Sequence, residues 1–318
     1  MTGPDAGAAL RALALDPRHR AAFQSSPELR AVLWPAAARF ILAHDRAGLP
    51  DRLAFLAGHG YRIGLEFVGE EVSDPAEVEA VVAEYESLIE TPWPGVPEPP
   101  RIGFDLSSVG SLISPDLAYH NTSRLLKTAA TRDARVILSM ENSAAVSGIL
   151  EVYGELAQRH DNIALTVQSH LHRTDDDLAA VIAAGRPVRL VKGVYREKPE
   201  VALPRGPELD QRYLTHLRRL VDAGVEVIAA TQDPAMHESL ARTGLVDGIA
   251  EVEMLHGVRP DLLRALRDRG VPVRVLGVYG QNWWLHFLHR LAEHPPTVFT
   301  ALADLADPTR VVFGRDYV

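Results

Sequence analysis

Two histidines and an arginine stand close together near the end of the chain, in the segment NWWLHFLHRLAEHP (residues 282–295). His286, His289 and Arg290 are spaced by three and four, so in a helix their side chains share one face. A guanidinium can make a bidentate pair with a carboxylate, and an imidazole can bind a metal ion or titrate near neutral pH. This face can therefore serve an anion site or a metal site.

Four further residues are of types that can bind a metal ion, but their spacing does not favour a metal site. His170, His172 and His256, with Asp105, are also of ligand type. None of these residues has the HExxH spacing or an equivalent context. His170 and His172 alternate in or just after a predicted strand, so at most one of them points toward a common site. We expect no metal ion.

The composition narrows the class of protein. A chain of 318 residues with 47% hydrophobic content can bury one barrel-sized core or two ordinary ones. The net charge of −9 offers no basic surface for nucleic acid, and the absence of cysteine excludes disulfides and thiolate chemistry. No signal-peptide pattern and no stretch near the ~18 apolar residues of a membrane span are found. We expect a cytoplasmic protein that acts on a small molecule.

Periodicity predicts the fold. Residues 1–60 carry apolar positions at helical spacing, with Ser26 as an N-cap, and form a helical arm. Eight aliphatic runs then alternate with amphipathic helical stretches, at 61–69, 101–108, 134–140, 162–168, 187–193, 225–231, 247–255 and 272–280. Such runs predict parallel strands covered by helices, and eight units fit a closed (β/α)8 TIM-type barrel over residues 61–318.

Polar side chains gather where the predicted strands end, which is where active sites lie in such barrels. These groups are 105–108, 141–142, 168–173, 192–197, 231–233, 253–256 and 279–282. Exposure of strand ends accounts for part of this polarity. It accounts less well for Asp105, Arg189, Lys192 and Glu253, which stand inside or directly end apolar runs, so we expect an enzyme.

Five segments resemble motifs of the proline dehydrogenase family, in order and over most of residues 60–296. PVRLVKGVYREK (187–198) resembles RLVKGAYxE, and LTVQSHLHRTDDDL (165–178) resembles the family's strand-four segment. ATQDP (230–234), EMLHGVRP (253–260) and VYGQNWWLHFLHRLAEHP (278–295) match three further motifs. The resemblance implies an FAD enzyme on a distorted (β/α)8 barrel, with the flavin at the strand C-termini and a helix over the barrel mouth.

The resemblance also implies roles for residues at the flavin. Arg189 is expected beside flavin N5, where a guanidinium would stabilise the reduced flavin. Gln168 is expected near the pyrimidine end of the ring. The remaining residues implied to bind FAD are Lys192, Gly193, Thr231, Gln232 and Glu293.

The substrate shell departs from the family pattern. Asp105 stands where the family has a lysine, and Ser139 where it has an aspartate, so a charged pair is lost as a unit. His289 replaces the first of two adjacent arginines that clamp the substrate carboxylate in the family, and Arg290 keeps the second. His256, Leu276 and His286 replace tyrosines, and Val194 replaces an alanine. With Arg189, the retained Tyr195 and the altered Asp105 are the candidate catalytic residues, and the other altered positions and Arg290 are expected to bind substrate.

The predicted function is FAD-dependent dehydrogenation of a proline-like or N-substituted amino acid. Hydride transfer to flavin N5 would give an imine or related C=N product, in a specialised pathway rather than on ordinary proline. The alternatives are a true L-proline dehydrogenase and a non-catalytic flavin-binding barrel; a structural partner protein would carry no flavin at all. The electron acceptor (quinone, oxygen or a carrier) and the oligomeric state stay open.

Overall fold

The computed structural model describes residues 3–69 and 71–318. Its N-terminal part contains α1 (Gly3–Leu15), α2 (Pro17–Ser25), α3 (Pro27–Ala37), a short strand β1 (Ile41–Ala43) and α4 (Pro50–Gly58). The side chains of Asp16 and Ser26 accept hydrogen bonds from backbone N–H groups at the starts of α2 and α3. Both helices have proline in the first turn, where the missing N–H costs nothing. The predicted N-cap at Ser26 is confirmed.

Eight parallel strands form a closed barrel. They are β2 (Arg62–Phe67), β3 (Arg101–Phe104), β4 (Val136–Leu138), β5 (Ile163–Gln168), β6 (Val188–Val191), β7 (Val227–Ala230), β8 (Glu251–Leu255) and β9 (Val273–Tyr279). Each pairs with the next, and β9 pairs with both β8 and β2, which closes the ring. Every strand lies within its predicted run, so the (β/α)8 barrel is confirmed.

A helix follows each strand. In order these are α5 (Pro75–Glu90), α6 (Pro115–Ala130), α7 (Val146–Ala157), α8 (Thr174–Ala183), α9 (Pro207–Asp222), α10 (Pro234–Arg242), α11 (Pro260–Asp268) and α12 (Trp284–Glu293), with α13 (Thr297–Ala306) after them. Helices α5 to α11 cover the outside of the barrel, and the main apolar core lies between them and the sheet. Helices α12 and α13 pack instead with the N-terminal helices in a second apolar cluster. No helix in residues 3–69 or 71–318 is both long and apolar enough to cross a membrane.

The N-terminal arm is not entirely helical, which corrects one expectation for residues 1–60. Strand β1 pairs in parallel with the end of β9, where Ile41 lies opposite Val278. Ile41 and Leu42 are fully buried. Gly277 makes this approach feasible, because a Cβ atom there would lie 1.9 Å from the Leu42 side chain. The burial that stabilises β1 thus comes from a strand more than 200 residues away.

The inside of the barrel is charged at its lower layers. Glu251 of β8 accepts hydrogen bonds from Arg62 at 3.1 Å, from Arg274 at 2.7 Å and from Arg101. Burial alone would raise the pKa of Glu251, but Arg101 and Arg274 lower it to about 2. One step closer to the mouth, Glu253 pairs with Arg101 at 3.3 Å. Ion pairs therefore fill the space that apolar layers fill in many such barrels.

Candidate active site

Arg189 is the centre of a buried polar cluster near the barrel mouth. Its Nε donates to Thr166 Oγ1 at 2.9 Å, and its Nη2 donates to Ser139 Oγ at 2.9 Å. Its Nη1 lies 3.1 Å from Glu253 Oε1 and 3.2 Å from Glu66 Oε1. Burial alone would lower the pKa of Arg189, but the two carboxylates raise it above its usual value. Arg189 is thus a fixed, permanently charged group, and the structure brings the predicted residue Ser139 to it.

Lys192 lies at the end of the same strand with two carboxylates. Its Nζ contacts Asp233 at 2.6 Å and Asp210 at 2.5 Å. Thr231 at the end of β7 is buried, and its hydroxyl accepts from the backbone N–H of Asp233 at 3.3 Å. Lys192 and Thr231 therefore share Asp233, which joins the ends of β6 and β7.

Gly193 is required by the close passage of the chain at this point. Its φ of 111° lies in a region that side chains rarely adopt, and a Cβ atom would lie 1.9 Å from Nδ1 of His170. Glycine here lets the backbone after β6 pass directly over the buried His170. The close contact with His170 thereby restricts the path of the backbone after Lys192.

Two glutamines carry buried acceptors that find no partner among the described residues. Gln168 donates from Nε2 to the Glu141 carbonyl at 2.6 Å, while its Oε1 is buried without a hydrogen bond. Gln232 Oε1 is in the same situation. Buried polar atoms are nearly always paired, so acceptors of this kind indicate a ligand with donor groups. FAD offers such donors in the flavin N3–H and its hydroxyls, so the residues at the ends of β5 and β7 fit this cofactor.

Helix α12 presents the predicted clamp residues. Arg290 Nη2 pairs with Glu293 Oε1 at 2.8 Å, and Arg290 Nε is buried with no partner among the described residues. Burial, with Arg290 and Arg11 nearby, lowers the pKa of His289 to about 4. Burial also places the pKa of His286 well below its usual value. One guanidinium and two neutral imidazoles therefore occupy this face at neutral pH.

The N-terminal helix α1 packs on α12. Arg11 Nη1 donates to the carbonyl of Ala292 at 3.3 Å, in the last turn of α12. A Cβ atom on Gly7 would lie 2.9 Å from the same carbonyl oxygen. The arm thus supports the helix that carries Arg290, a contact that was not expected from the sequence.

His256 lies against the C-terminal segment. Its Nδ1 is 2.9 Å from the Tyr317 hydroxyl, and the two rings stack with 9° between their planes. Burial lowers the pKa of His256 to about 3. The Tyr317 hydroxyl also accepts from the Gly257 backbone N–H at 3.0 Å. Nδ1 of His256 is therefore already hydrogen-bonded to Tyr317 in the C-terminal segment. The role of His256 in substrate binding stays a prediction.

The remaining predicted residues occupy separate parts of the mouth. Leu276 is buried on β9, and its side chain lies 3.1 Å from where a Cβ of Gly64 would be. Val194 and Tyr195 are exposed in the connection after β6. Asp105 is half-buried at the end of β3, where it begins the 3-10 turn Leu106–Ser108.

Glu66 and Thr166 are members of the Arg189 cluster that the sequence reading did not identify, and Glu253 was noticed only as a charge in an apolar run. Glu66 carries the same signal as Glu253, because it stands in the aliphatic run 61–69. Glu66 lies four residues after Arg62 in the same strand, so the two side chains share one face of that strand. A search for charged residues at inward positions of every strand would have found it.

Comparisons of the sequence with known proteins all point to one family. A model of the proline dehydrogenase family matches residues 51–293. Proline dehydrogenase 2 of Bacillus subtilis subsp. natto is 29% identical over 202 residues, which are 62% of this chain and 66% of that protein. Proline dehydrogenase of Deinococcus radiodurans is 30% identical over 277 residues, which are 84% of this chain and 88% of that protein. The chain thus spans just under two thirds of the first relative and most of the second.

Solved structures give the same fold. Proline utilization A from Bdellovibrio bacteriovorus matches with a TM-score of 0.74 at 17% identity, covering 89% of this chain and 35% of that one. Proline utilization A from Bradyrhizobium japonicum matches with a TM-score of 0.69 at 18% identity, covering 88% and 33%. At these identities the likeness concerns the fold alone, and this chain corresponds to about a third of each larger protein.

The family resemblance carried by the five motifs is confirmed. Family membership supports FAD as the cofactor and a flavin-dependent oxidation at a CH–NH bond as the reaction class. The roles assigned to single residues stay predictions. The chain belongs to the proline dehydrogenase family.

Proposed function

We propose that this protein is an FAD-dependent dehydrogenase of a proline-like or N-substituted amino acid other than ordinary proline. The observation that supports this proposal is a contrast between two sides of the barrel mouth, formed by the strand ends and by α12. On the strand side, Arg189, Lys192 and Gln168 are held by hydrogen bonds within the protein, and they are the residues that the family resemblance assigns to the flavin. On the α12 side, one guanidinium with a neutral His289 stands where the family has two arginines.

The strand side offers groups whose chemistry fits FAD. FAD supplies the acceptor for the hydride when it is bound. Arg189 would lie beside the flavin ring as a pre-organised charge, because Glu66, Glu253 and Thr166 already fix its direction. The unpaired oxygens of Gln168 and Gln232 would receive donors of the cofactor. Lys192 would offer a point charge to a phosphate only after giving up Asp210 or Asp233.

The substrate side would bind a carboxylate less strongly than two arginines do. Arg290 can make the bidentate pair, yet it shares its charge with Glu293 at 2.8 Å. His289 adds a donor without a positive charge at neutral pH, because its pKa is about 4. Imidazoles at 286 and 289 also differ in size from the family's residues. These changes support a substrate whose shape and nitrogen substitution differ from those of proline.

The test is an anaerobic titration followed by visible absorbance. The purified protein should be yellow, should keep its flavin bands with L-proline, and should bleach with a member of a panel of N-substituted and ring-modified amino acids. Readmitted oxygen and an added quinone would then separate the possible electron acceptors. Bleaching by L-proline at comparable concentration would make this an L-proline dehydrogenase, and a colourless protein that takes up no FAD would contradict the flavoenzyme assignment.

A further inference from the structure

Glu66 is the accessible acid of the Arg189 cluster. Its Oε1 lies 3.2 and 3.3 Å from the two terminal nitrogens of Arg189 and 3.4 Å from Ser139 Oγ. All side-chain hydrogen bonds of Glu66 to described residues use Oε1. Its side chain is 24% exposed, against 6% for Arg189 and 2% for Glu253. Glu66 is therefore the carboxylate in this cluster that a ligand in the mouth can reach.

The neighbouring strands leave space for this carboxylate. A Cβ atom at Gly103 of β3 would lie 2.5 Å from Glu66 Oε1 and 2.9 Å from its Cγ. Directly after β4, Ser139 offers only a hydroxyl, and that hydroxyl contacts both Glu66 and Arg189. The small residues Gly103 and Ser139 thus leave room for the Glu66 side chain. Ser139 stands where the family resemblance has an aspartate.

Glu253 is the second acid of the cluster, and both of its carboxylate oxygens are already paired with arginines. Glu253 gives Oε1 to Arg189 at 3.1 Å and Oε2 to Arg101 at 3.3 Å. Both guanidinium groups are buried, so this bridge belongs to the structure of the barrel. A positive charge that develops beside Arg189 would be met by Glu66 rather than by Glu253.

We propose that Glu66 stabilises the positive charge that forms on the substrate nitrogen as the hydride leaves, an inference that rests on the proposed function. The bound substrate is a neutral amine whose N–H donates to the Glu66 carboxylate. The C–H bond would break as a hydride, and bound FAD would accept the hydrogen together with both bonding electrons. The nitrogen lone pair forms the C=N bond, so the product is an iminium cation. Charge appears on nitrogen during this step, where an anion lowers the barrier.

The proposal separates Glu66 from Arg290 by what each recognises. Arg290 interacts with the substrate carboxylate, which is the same before and after oxidation. Glu66 interacts with the nitrogen, whose charge changes in the reaction. A planar cation with a carboxylate should therefore bind through both groups, and a neutral ring with the same carboxylate through Arg290 alone.

Two matched ligands test this without turnover. 1-Methylpyridinium-2-carboxylate is a zwitterion with a planar cationic ring, and 2-methylbenzoate carries the same carboxylate on an uncharged ring of the same shape. Their dissociation constants follow from perturbation of the bound flavin's absorbance. The wild-type protein should prefer the cation. Glu66→Gln should reduce that preference by about tenfold or more, the effect expected for losing the Coulomb attraction between a partly buried carboxylate and the ring charge. Arg290→Ala should weaken both ligands to the same extent.

Kinetics gives the second readout. With an amine that bleaches the flavin, Glu66→Gln should lower the limiting rate of anaerobic reduction by about 10²-fold, the effect of removing one group aimed at transition-state charge. The apparent dissociation constant should change little. Glu71→Gln is the matched control, because Glu71 lies in the connection after the same strand and its side chain is 68% exposed. This control should behave as wild type.

The outcomes separate the two proposals. Glu66→Gln should still fold and bind FAD, since Glu253, Thr166 and Ser139 keep Arg189 paired. If amines reduce the flavin but Glu66→Gln keeps both the cation preference and the limiting rate, only the role of Glu66 is wrong. A protein that binds no flavin overturns this inference together with the proposed function.

Discussion

At the level of single residues, His289 differs from its family counterpart in charge as well as in shape. It is half-buried on α12 beside Arg290 and Arg11, and these surroundings lower its pKa to about 4. A protonated imidazole here would be a third positive charge in a poorly solvated place. The face that clamps a carboxylate with two permanent charges in the family therefore carries one charge in this protein.

The same shift predicts how stability depends on pH. Above about pH 6.5 the imidazole is neutral in the folded and unfolded chains and contributes nothing. As the pH falls toward 4, the unfolded chain binds a proton that the folded chain refuses, so the free energy of unfolding drops by up to about 3 kcal/mol. His289→Gln removes this loss. Urea unfolding of both proteins at pH 7 and pH 4.5 measures it, and equal pH slopes would contradict the assignment.

At the level of elements, eight strands were predictable because each is an aliphatic run bounded by polar residues. Strand β1 was not, because its three residues continue the apolar pattern of α3, and the local sequence fits a helix as well as a strand. Its conformation is set by β9 and by the gap at Gly277. Local secondary-structure propensity contains no information about a pairing strand that lies far along the chain.

The contact between α1 and α12 was also unpredictable, and it can be tested at Gly7. Since a Cβ there would lie 2.9 Å from the Ala292 carbonyl oxygen, Gly7→Val should push the two helices apart. We expect a loss of about 1–3 kcal/mol in the free energy of unfolding, typical of overpacking. Weaker binding of 2-methylbenzoate should accompany it, because α12 carries Arg290.

Gly154 in α7 provides the control for this change. No atom lies within 4 Å of a Cβ placed there, so Gly154→Val should cost little. Chemical unfolding and the flavin absorbance titration measure the two effects on each variant. Equal losses for both variants would show that the result reflects helix propensity rather than docking of the arm.

At the level of the whole molecule, the aliphatic runs predicted the ring of strands, but no sequence pattern predicted the ion pairs that connect the strands. Glu66 and Arg189 are 123 residues apart, and Tyr317 reaches His256 from the far end of the chain. Sequence patterns report which strand face a residue occupies. Which charges meet across the barrel depends on strand stagger and on small residues such as Gly103.

These ion pairs bind the barrel together, and Glu251 is their lowest junction. Its two oxygens serve Arg62, Arg101 and Arg274, which come from β2, β3 and β9. Removing one partner of a buried ion pair leaves uncompensated charge and typically costs 3–5 kcal/mol, far more than the pair itself contributes relative to apolar residues. The stability of the closed ring should therefore depend strongly on this carboxylate.

Glu251→Gln should accordingly lower the free energy of unfolding by about 3–5 kcal/mol at pH 7. Glu98→Gln is the control, because Glu98 approaches Arg62 at 3.6 Å and Arg274 at 4.0 Å but is 58% exposed, so its loss should cost less than about 1 kcal/mol. Since Arg101 and Arg274 hold the pKa of Glu251 near 2, its contribution is complete above pH 4.5 and is lost as the pH falls through 2. The gap between wild type and Glu251→Gln should thus narrow in acid, and similar losses for the two variants at pH 7 would contradict the role of burial.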